Sequence, residues 1–137
     1  MGWFTIMFDT NAWSAEQHVA AKQEIDLYKK ELRSLIRDAS LYHVSARPDG
    51  VDWDGMEYWD PDRHKGVVFA FHGSIVEEKV HSYQLKGLQP WARYRLSYHD
   101  HSAPDSIASG KELMEQGLKV SLPIPNSSEL IFIADLH

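Results

Sequence analysis

The spacing of apolar residues along the chain changes near residue 40. Before that point, apolar side chains recur every three or four residues, which places them on one face of a helix. The stripe consists of Ala21, Ile25, Tyr28, Leu32, Leu35 and Ile36. Ser14 and Gln17 precede it in a capping-box pattern. We therefore predict one long helix from residue 15 to about 38, with its stripe packed in a core.

From Leu41 onward the apolar spacing changes to two. Short alternating segments are separated by turn residues about every 8–12 positions, which predicts strands. The segments lie at 41–44, 56–59, 67–72, 80–85, 94–98, 118–122 and 129–134. Residues 99–117 are predicted to form a loop with one helical turn. The expected fold class is mainly β: an antiparallel β-sandwich of Greek-key type, preceded by one long N-terminal α-helix.

The first apolar segment, Trp3 to Phe8, has the composition of a buried strand. Such a strand has no neighbouring sheet ahead of the helix, so it indicates that the chain belongs to something larger. We expect two parts: residues 1–40, with the strand and the helix, and residues 41–137, with the β-sandwich.

Composition excludes several classes of protein. The net charge is −6 without a basic block, which argues against nucleic-acid binding. No apolar run is long enough for a membrane helix, and no secretory signal is recognisable. We expect a soluble protein, with a bacterial-type cytoplasmic location and nothing more specific. Cysteine is absent, which excludes disulfides and thiolate sites. Since no glycine-rich phosphate loop occurs, no cofactor is predicted.

Two polar clusters contain residue types that are used in active sites. His99, Asp100 and His101 include zinc-ligand types, but no further ligand is evident, so a solvated loop without metal is expected. Six carboxylates follow one another between residues 49 and 62: Asp49, Asp52, Asp54, Glu57, Asp60 and Asp62. They lack the ligand spacing of a calcium loop and define no hydrolase pair, so a solvated acidic loop is expected.

Three aromatic residues within this acidic stretch are the candidate carbohydrate-binding residues. Trp53, Tyr58 and Trp59 have the side chains that stack on sugar rings. Aromatic residues of this kind also fill sandwich cores and domain interfaces. Core or interface packing is the preferred interpretation, and a carbohydrate-binding site at these residues is the alternative. No catalytic residue is predicted.

Longer sequence patterns resemble a known enzyme family. Residues 22–61 read KQEIDLYKKELRSLIRDASLYHVSARPDGVDWDGMEYWDP, and Gly66–Phe71, Leu85–Leu88, Tyr94–Leu96 and Gly110–Leu118 follow. This order is similar to the C-terminal end of α-galactosidase-type glycoside hydrolases, family 36 of the melibiase clan. There, a similar signature lies on the last barrel helix, and a Lys-Gly-Leu turn precedes a Tyr-Arg-Leu strand.

The resemblance implies a role for each part of the chain. Residues 3–8 and 14–38 would be the last strand and helix of a (β/α)8 barrel, and residues 41–134 the C-terminal sandwich. The catalytic aspartates of the family follow earlier barrel strands, which this chain lacks, so none can be assigned here. Asp9 would lie near the barrel mouth without being catalytic.

The expected function is that of a non-catalytic accessory domain that packs against and stabilises the barrel of the parent chain. Two alternatives remain open. One is a carbohydrate-binding module. The other is a stand-alone protein that forms a homodimer through its N-terminal helix, because an unpaired apolar stripe seeks a partner.

Overall fold

The structure, a computed structural model, describes residues 9–74 and 77–136 of the chain. It divides into two compact units, one ending at Ser34 and the other beginning at Leu35. The strand expected at residues 3–8 lies outside the described residues. The assignment of residues 1–40 to the end of a barrel stays a prediction.

The long helix begins at the capping box, as predicted. Ser14 Oγ accepts a hydrogen bond from the Gln17 N–H at 3.2 Å, and Gln17 Oε1 accepts one from the Ser14 N–H at 2.8 Å. A 3₁₀ turn at Thr10–Ala12 precedes it. The helix consists of α1 (Ala15–Leu27), a π-helical turn (Tyr28–Leu32) and α2 (Arg33–Asp38). The π-helical turn was not predicted.

The buried part of the helical stripe lies at its C-terminal end. Leu32 and Leu35 are buried, whereas α1 buries no side chain. Beyond Leu35, Asp38 accepts a hydrogen bond from Arg63 at 2.9 Å. Within the described ranges, no helix combines the length and apolar character needed to cross a membrane.

Eight strands in the described residues form two antiparallel sheets. They are β1 (Ser40–His43), β2 (Asp54–Asp60), β3 (Lys65–Phe71), β4 (Val80–Tyr83), β5 (Arg93–Tyr98), β6 (Ser106–Ser109), β7 (Leu118–Ser121) and β8 (Ser128–Asp135). The large sheet has the order β1-β2-β3-β8-β5-β6, and β4 pairs with β7 in the small sheet. The predicted β-sandwich is therefore confirmed, and β8 returns to lie between β3 and β5 in the manner of a Greek key.

One strand lies where a loop was predicted. β6 pairs with β5, with Ser109 opposite Arg93 and Ile107 opposite Arg95. The loop prediction for residues 99–117 is thus wrong at Ser106–Ser109. This short edge segment alternates weakly, so its sequence gives little indication of a strand. The predicted helical turn is present as α3 (Gly110–Glu115).

The main core lies between the two sheets. Inward-facing residues of β2, β3, β5 and β8 pack with residues of the small sheet and the nearby turns. The buried members are Trp53, Trp59, Val68, Ala70, Tyr83, Leu85, Leu88, Tyr94, Leu96, Tyr98, Leu113, Leu118, Val120, Leu122, Ile131 and Ile133. The other face of the large sheet is also apolar along β2 and β3, where Tyr58, Val67 and Phe69 are buried.

The turn before β5 is packed closely against the start of α3. The N–H groups of Gly110 and Lys111 donate to the carbonyls of Ala92 and Pro90 at 2.9 and 3.0 Å. A Cβ atom at Gly110 would overlap the carbonyl oxygen of Gln89. The absence of a side chain at residue 110 therefore allows two backbone segments to meet directly.

We expect Gly110→Ala to destabilise the chain by about 2–3 kcal/mol, because the added methyl group displaces backbone rather than a movable side chain. Urea unfolding measures the change, with Lys111→Ala as a control on the same helix that should alter stability by less than about 0.5 kcal/mol. Equal stability of the two variants would contradict the close packing.

Candidate functional site

Trp53 lies within the acidic stretch, and its side chain is packed in the core. It is 6% exposed, and its indole N–H donates to the carbonyl of Glu78 at 3.0 Å. The imidazoles of His72 and His81 stack on the indole, with ring centroids 4.5 and 5.5 Å away. The indole therefore joins the loop before β2 to β3 and β4.

Tyr58 and Trp59 are each 4% exposed. Because side chains alternate along β2, they lie on opposite faces of the large sheet. The Tyr58 ring packs edge-on against Phe69 at 5.9 Å, and the Trp59 ring packs against Tyr94 at 5.4 Å. These contacts match the preferred interpretation of the aromatic residues as packing groups. Carbohydrate binding at Trp53, Tyr58 and Trp59 stays a prediction, and each ring already packs against other rings.

The most exposed large aromatic residue in the described chain is Trp91, at 80%. It lies in the turn before β5, which is hydrogen-bonded to the start of α3. Sequence reasoning overlooked it because Pro90 marks a turn and gives no information about exposure.

Two of the six carboxylates between residues 49 and 62, Asp49 and Asp60, cap backbone turns. Asp49 accepts hydrogen bonds from the N–H groups of Val51 and Asp52 at 2.8 and 2.9 Å. These bonds, Asp52 first, hold the pKa of Asp49 below its usual value. Asp60 accepts from the N–H groups of Asp62 and Arg63, both at 3.0 Å. The stretch therefore consists of strand β2 with a structured turn at each end, rather than the solvated loop that was expected.

Glu57 departs most from that expectation, because it is fully buried on the core face of β2. Its Oε2 accepts a hydrogen bond from the Lys86 N–H at 2.7 Å, while Oε1 has no partner in the described structure. Burial raises the pKa of Glu57 to about 7, despite the opposing effects of the Lys86 N–H and the Lys86 charge. Lys86 Nζ in turn donates to the carbonyl of His43 at 3.2 Å.

Glu129 is also fully buried, at the start of β8. Its Oε1 accepts from the N–H groups of Asp100 and Leu130 at 2.8 and 2.9 Å, and its Oε2 accepts from the Ser102 N–H at 3.0 Å. The carboxylate therefore holds the turn after β5 in place. The alternation of the sequence could have identified both buried carboxylates. Glu57 lies two residues before Trp59, and Glu129 lies two residues before Ile131, so each carboxylate is on the same face of its strand as a core residue.

This turn contains the histidine cluster that was considered as a zinc site. Its N–H bonds to Glu129 bend the backbone, and His101 adopts a positive φ of 57°. No group of three or more histidine, aspartate or glutamate side chains suited to a metal ion occurs in residues 9–74 and 77–136. His99, Asp100 and His101 therefore belong to a turn that Glu129 holds in place.

An open cleft of about 340 Å³ lies where β2, β3 and β8 meet two loops. The strands contribute Asp54, Phe71 and Ser128 to its lining. The loops and the strand ends supply the rest: Pro48, Gly50, Asp52, His72, Gly73, Asn126 and Ser127. Carboxylate, hydroxyl and amide groups thus lie around the Phe71 ring. Of the six carboxylates, Asp52 and Asp54 line this cleft.

Two facing antiparallel sheets with buried turn-binding carboxylates define a β-sandwich domain. The family model described as "Glycosyl hydrolase family 36 C-terminal domain" matches residues 53–133, more than half of the chain. The chain therefore belongs to this domain family, and the resemblance found in the sequence is confirmed. The domain is not itself the catalytic domain of these hydrolases.

Solved α-galactosidases share the fold. The galactosidase domain of the α-galactosidase–sucrose kinase AgaSK matches with a TM-score of 0.77 at 18% identity, covering 94% of this chain and 17% of that one. The Lactobacillus brevis α-galactosidase matches with a TM-score of 0.77 at 18% identity, covering 95% and 18%. The third match is AgaA from Geobacillus stearothermophilus in complex with stachyose, with a TM-score of 0.72 at 20% identity, covering 94% and 17%.

The chain thus spans less than a fifth of each of these enzymes. In all three, a larger α-galactosidase chain contains this fold together with a catalytic domain. A comparison with curated proteins gave no match.

We expect Glu57 to make stability depend on pH. Its folded-state pKa of about 7 exceeds the ordinary value of 4.5, so folding favours the protonated form. The contribution of the protonated Glu57 carboxyl to the free energy of unfolding is fully present below pH 4.5. It is lost as the pH rises from 4.5 to about 7. The difference corresponds to about 3 kcal/mol.

The Glu57→Gln variant should lack this pH dependence, whatever its absolute stability. Urea unfolding of both proteins from acidic to neutral pH measures the difference between them. The exposed Glu115→Gln substitution is the control and should keep the wild-type slope. Parallel curves for wild type and Glu57→Gln would contradict the buried, proton-binding state.

We expect Glu129→Gln to destabilise the chain by about 2–4 kcal/mol, because an amide has one acceptor oxygen and its NH₂ group opposes a backbone donor. Thermal or urea unfolding measures the loss. Asp62→Asn, an exposed substitution, should change stability by less than about 0.5 kcal/mol. A Glu129→Gln variant as stable as wild type would show that the three N–H bonds contribute little.

Proposed function

We propose that the chain is a non-catalytic accessory domain of a family 36 α-galactosidase, which packs against the catalytic barrel of its parent chain and stabilises it. The observation that carries the proposal is the match of residues 53–133 to the C-terminal domain of this family. The three α-galactosidases that share the fold support it, since each is more than five times longer than the matched segment.

The engagement of the carboxylates also supports a non-catalytic role. A glycosidase needs two carboxyl groups facing one open site, with matched protonation states. Here Asp49 and Asp60 cap turns, while Glu57 and Glu129 bind backbone N–H groups inside the core. These four side chains are therefore committed to structural contacts.

The outer face of the large sheet is apolar along β2 and β3, and this part of it is already covered within the chain. In a sandwich whose outer face meets water, alternate residues of β2 and β3 would be polar. Instead Tyr58, Val67 and Phe69 are apolar and buried. A homodimer through the N-terminal helix stays a separate prediction, which light scattering of the 137-residue chain would check.

The absence of catalysis is tested by assaying the purified chain against an aryl α-galactoside. We expect no turnover above the buffer rate. Turnover that survives repeated purification and disappears in Asp54→Asn or Asp52→Asn would contradict the proposal, because it would place a catalytic carboxylate in this chain.

The stabilising role is tested on the gene product that includes the coding sequence upstream of Met1. We expect that sequence to encode a barrel in frame, and removal of residues 41–137 to lower the melting temperature by roughly 10 °C. Lys111→Ala in the longer product is the control and should leave melting unchanged. An upstream sequence without a barrel, or a truncated product that melts like the intact one, would refute the role.

A further inference from the structure

The cleft described above is built on one row of residues across three neighbouring strands. Asp54 on β2 lies opposite Phe71 on β3, and Phe71 lies opposite Ser128 on β8. Directly paired residues have Cβ atoms about 5 Å apart and point to the same face of the sheet. A carboxylate and a hydroxyl group therefore flank the Phe71 ring, which is half-buried and lines the cleft.

The two loops that border this row are fixed by their own hydrogen bonds. Asp49 holds the N–H groups of Val51 and Asp52, and Ser74 Oγ donates to the carbonyl of Gly50 at 3.0 Å. On the other side, Asn126 has a φ of 57°, and its N–H donates to the carbonyl of His72 at 3.0 Å. Preformed walls reduce the ordering cost of binding a ligand.

The polar groups of the cleft have unused hydrogen-bonding capacity. Asp54 Oδ1 accepts from Ser45 Oγ at 2.8 Å, which leaves Oδ2 for another donor. The exposed carboxylate of Asp52 accepts no hydrogen bond from the described residues. The amide of Asn126 and the hydroxyl of Ser128 add donors and acceptors at the opposite rim.

These groups select the chemistry of a ligand. Two carboxylates repel anions such as phosphates. No three-ligand metal group is present among the described side chains. A half-buried phenyl ring between hydrogen-bonding groups suits a flat molecule with C–H groups on its face and hydroxyls at its edge. A volume of about 340 Å³ is sufficient for one or two sugar rings.

We propose that this cleft binds a neutral pyranoside. The C–H face of the sugar lies on Phe71, and its hydroxyls donate to Asp52 and Asp54 and pair with Ser128 and Asn126. The site is separate from Trp53, Tyr58 and Trp59, whose rings are packed in the fold. The proposal of sugar binding does not depend on the accessory role, because the binding test and the barrel-stabilisation test measure different properties.

The experiment is an NMR titration of the ¹⁵N-labelled 137-residue chain with methyl α-galactoside and, separately, methyl α-glucoside. We expect saturable shifts at millimolar sugar for the amides of Asp52, Gly73, Asn126 and Ser128. Phe71→Ala and Asp52→Asn should each weaken binding about tenfold, through the lost stacking surface and the lost charged acceptor. Trp91→Ala, which removes an exposed aromatic residue outside the cleft lining, should bind like wild type.

Because Phe71→Ala removes a partly buried ring and can disturb folding, the exposed Asp52→Asn variant decides the question. Four results would overturn the proposal: no saturable shifts with either sugar, shifts confined to other residues, loss of binding in Trp91→Ala, or unchanged affinity in Asp52→Asn. Calcium chloride is titrated in parallel. Shifts of the same amides by Ca²⁺ that block sugar binding would identify a cation site instead and would also overturn it.

Discussion

Two carboxylates buried on the core side of the large sheet hold the turns around it. A buried carboxylate loses its hydration, and backbone N–H groups are the donors that offset this loss. Glu129 has three such donors, and two of them, the N–H groups of Asp100 and Ser102, lie in the turn after β5. Glu57 has one, from Lys86, in the connection that leads from the small sheet to the large one.

The difference between these two side chains follows from their donors. Glu129 distributes its charge over three N–H groups, whereas Glu57 keeps an oxygen without a partner in the described structure. Burial therefore dominates at Glu57 and shifts its pKa upward to about 7. An acidic group of this kind in an open cleft would be a candidate proton donor. Because Glu57 is instead enclosed in the core, its hydrogen bond from the Lys86 N–H attaches the Lys86 turn to the core.

This arrangement gives structural contacts to several of the acidic and aromatic side chains between residues 49 and 62. Turn capping and core anchoring engage Asp49, Asp60 and Glu57, and ring contacts bury Trp53, Tyr58 and Trp59. Family membership and the α-galactosidase neighbours are consistent with an accessory domain. Of the carboxylates in this stretch, Asp52 and Asp54 line the cleft beside Phe71.

Local sequence signals predicted the elements of the fold better than their arrangement. The Ser14 capping box and the alternation in β5 and β7 depend on neighbouring residues, and both predictions were correct. The insertion of β8 between β3 and β5 and the anchoring role of Glu129 depend on contacts between residues distant in sequence. Periodicity has no information on those contacts, so the cleft could not be located from sequence either.

The most direct test of this account is amide hydrogen exchange of the 137-residue chain. The amides of Lys86, Asp100 and Ser102 lie in turns, where amides ordinarily exchange quickly. If the buried carboxylates hold these turns, all three amides should exchange nearly as slowly as that of Ile131 in the central strand β8. Exchange at the rate of unprotected loop amides would show that Glu57 and Glu129 do not anchor the turns, and would contradict the account.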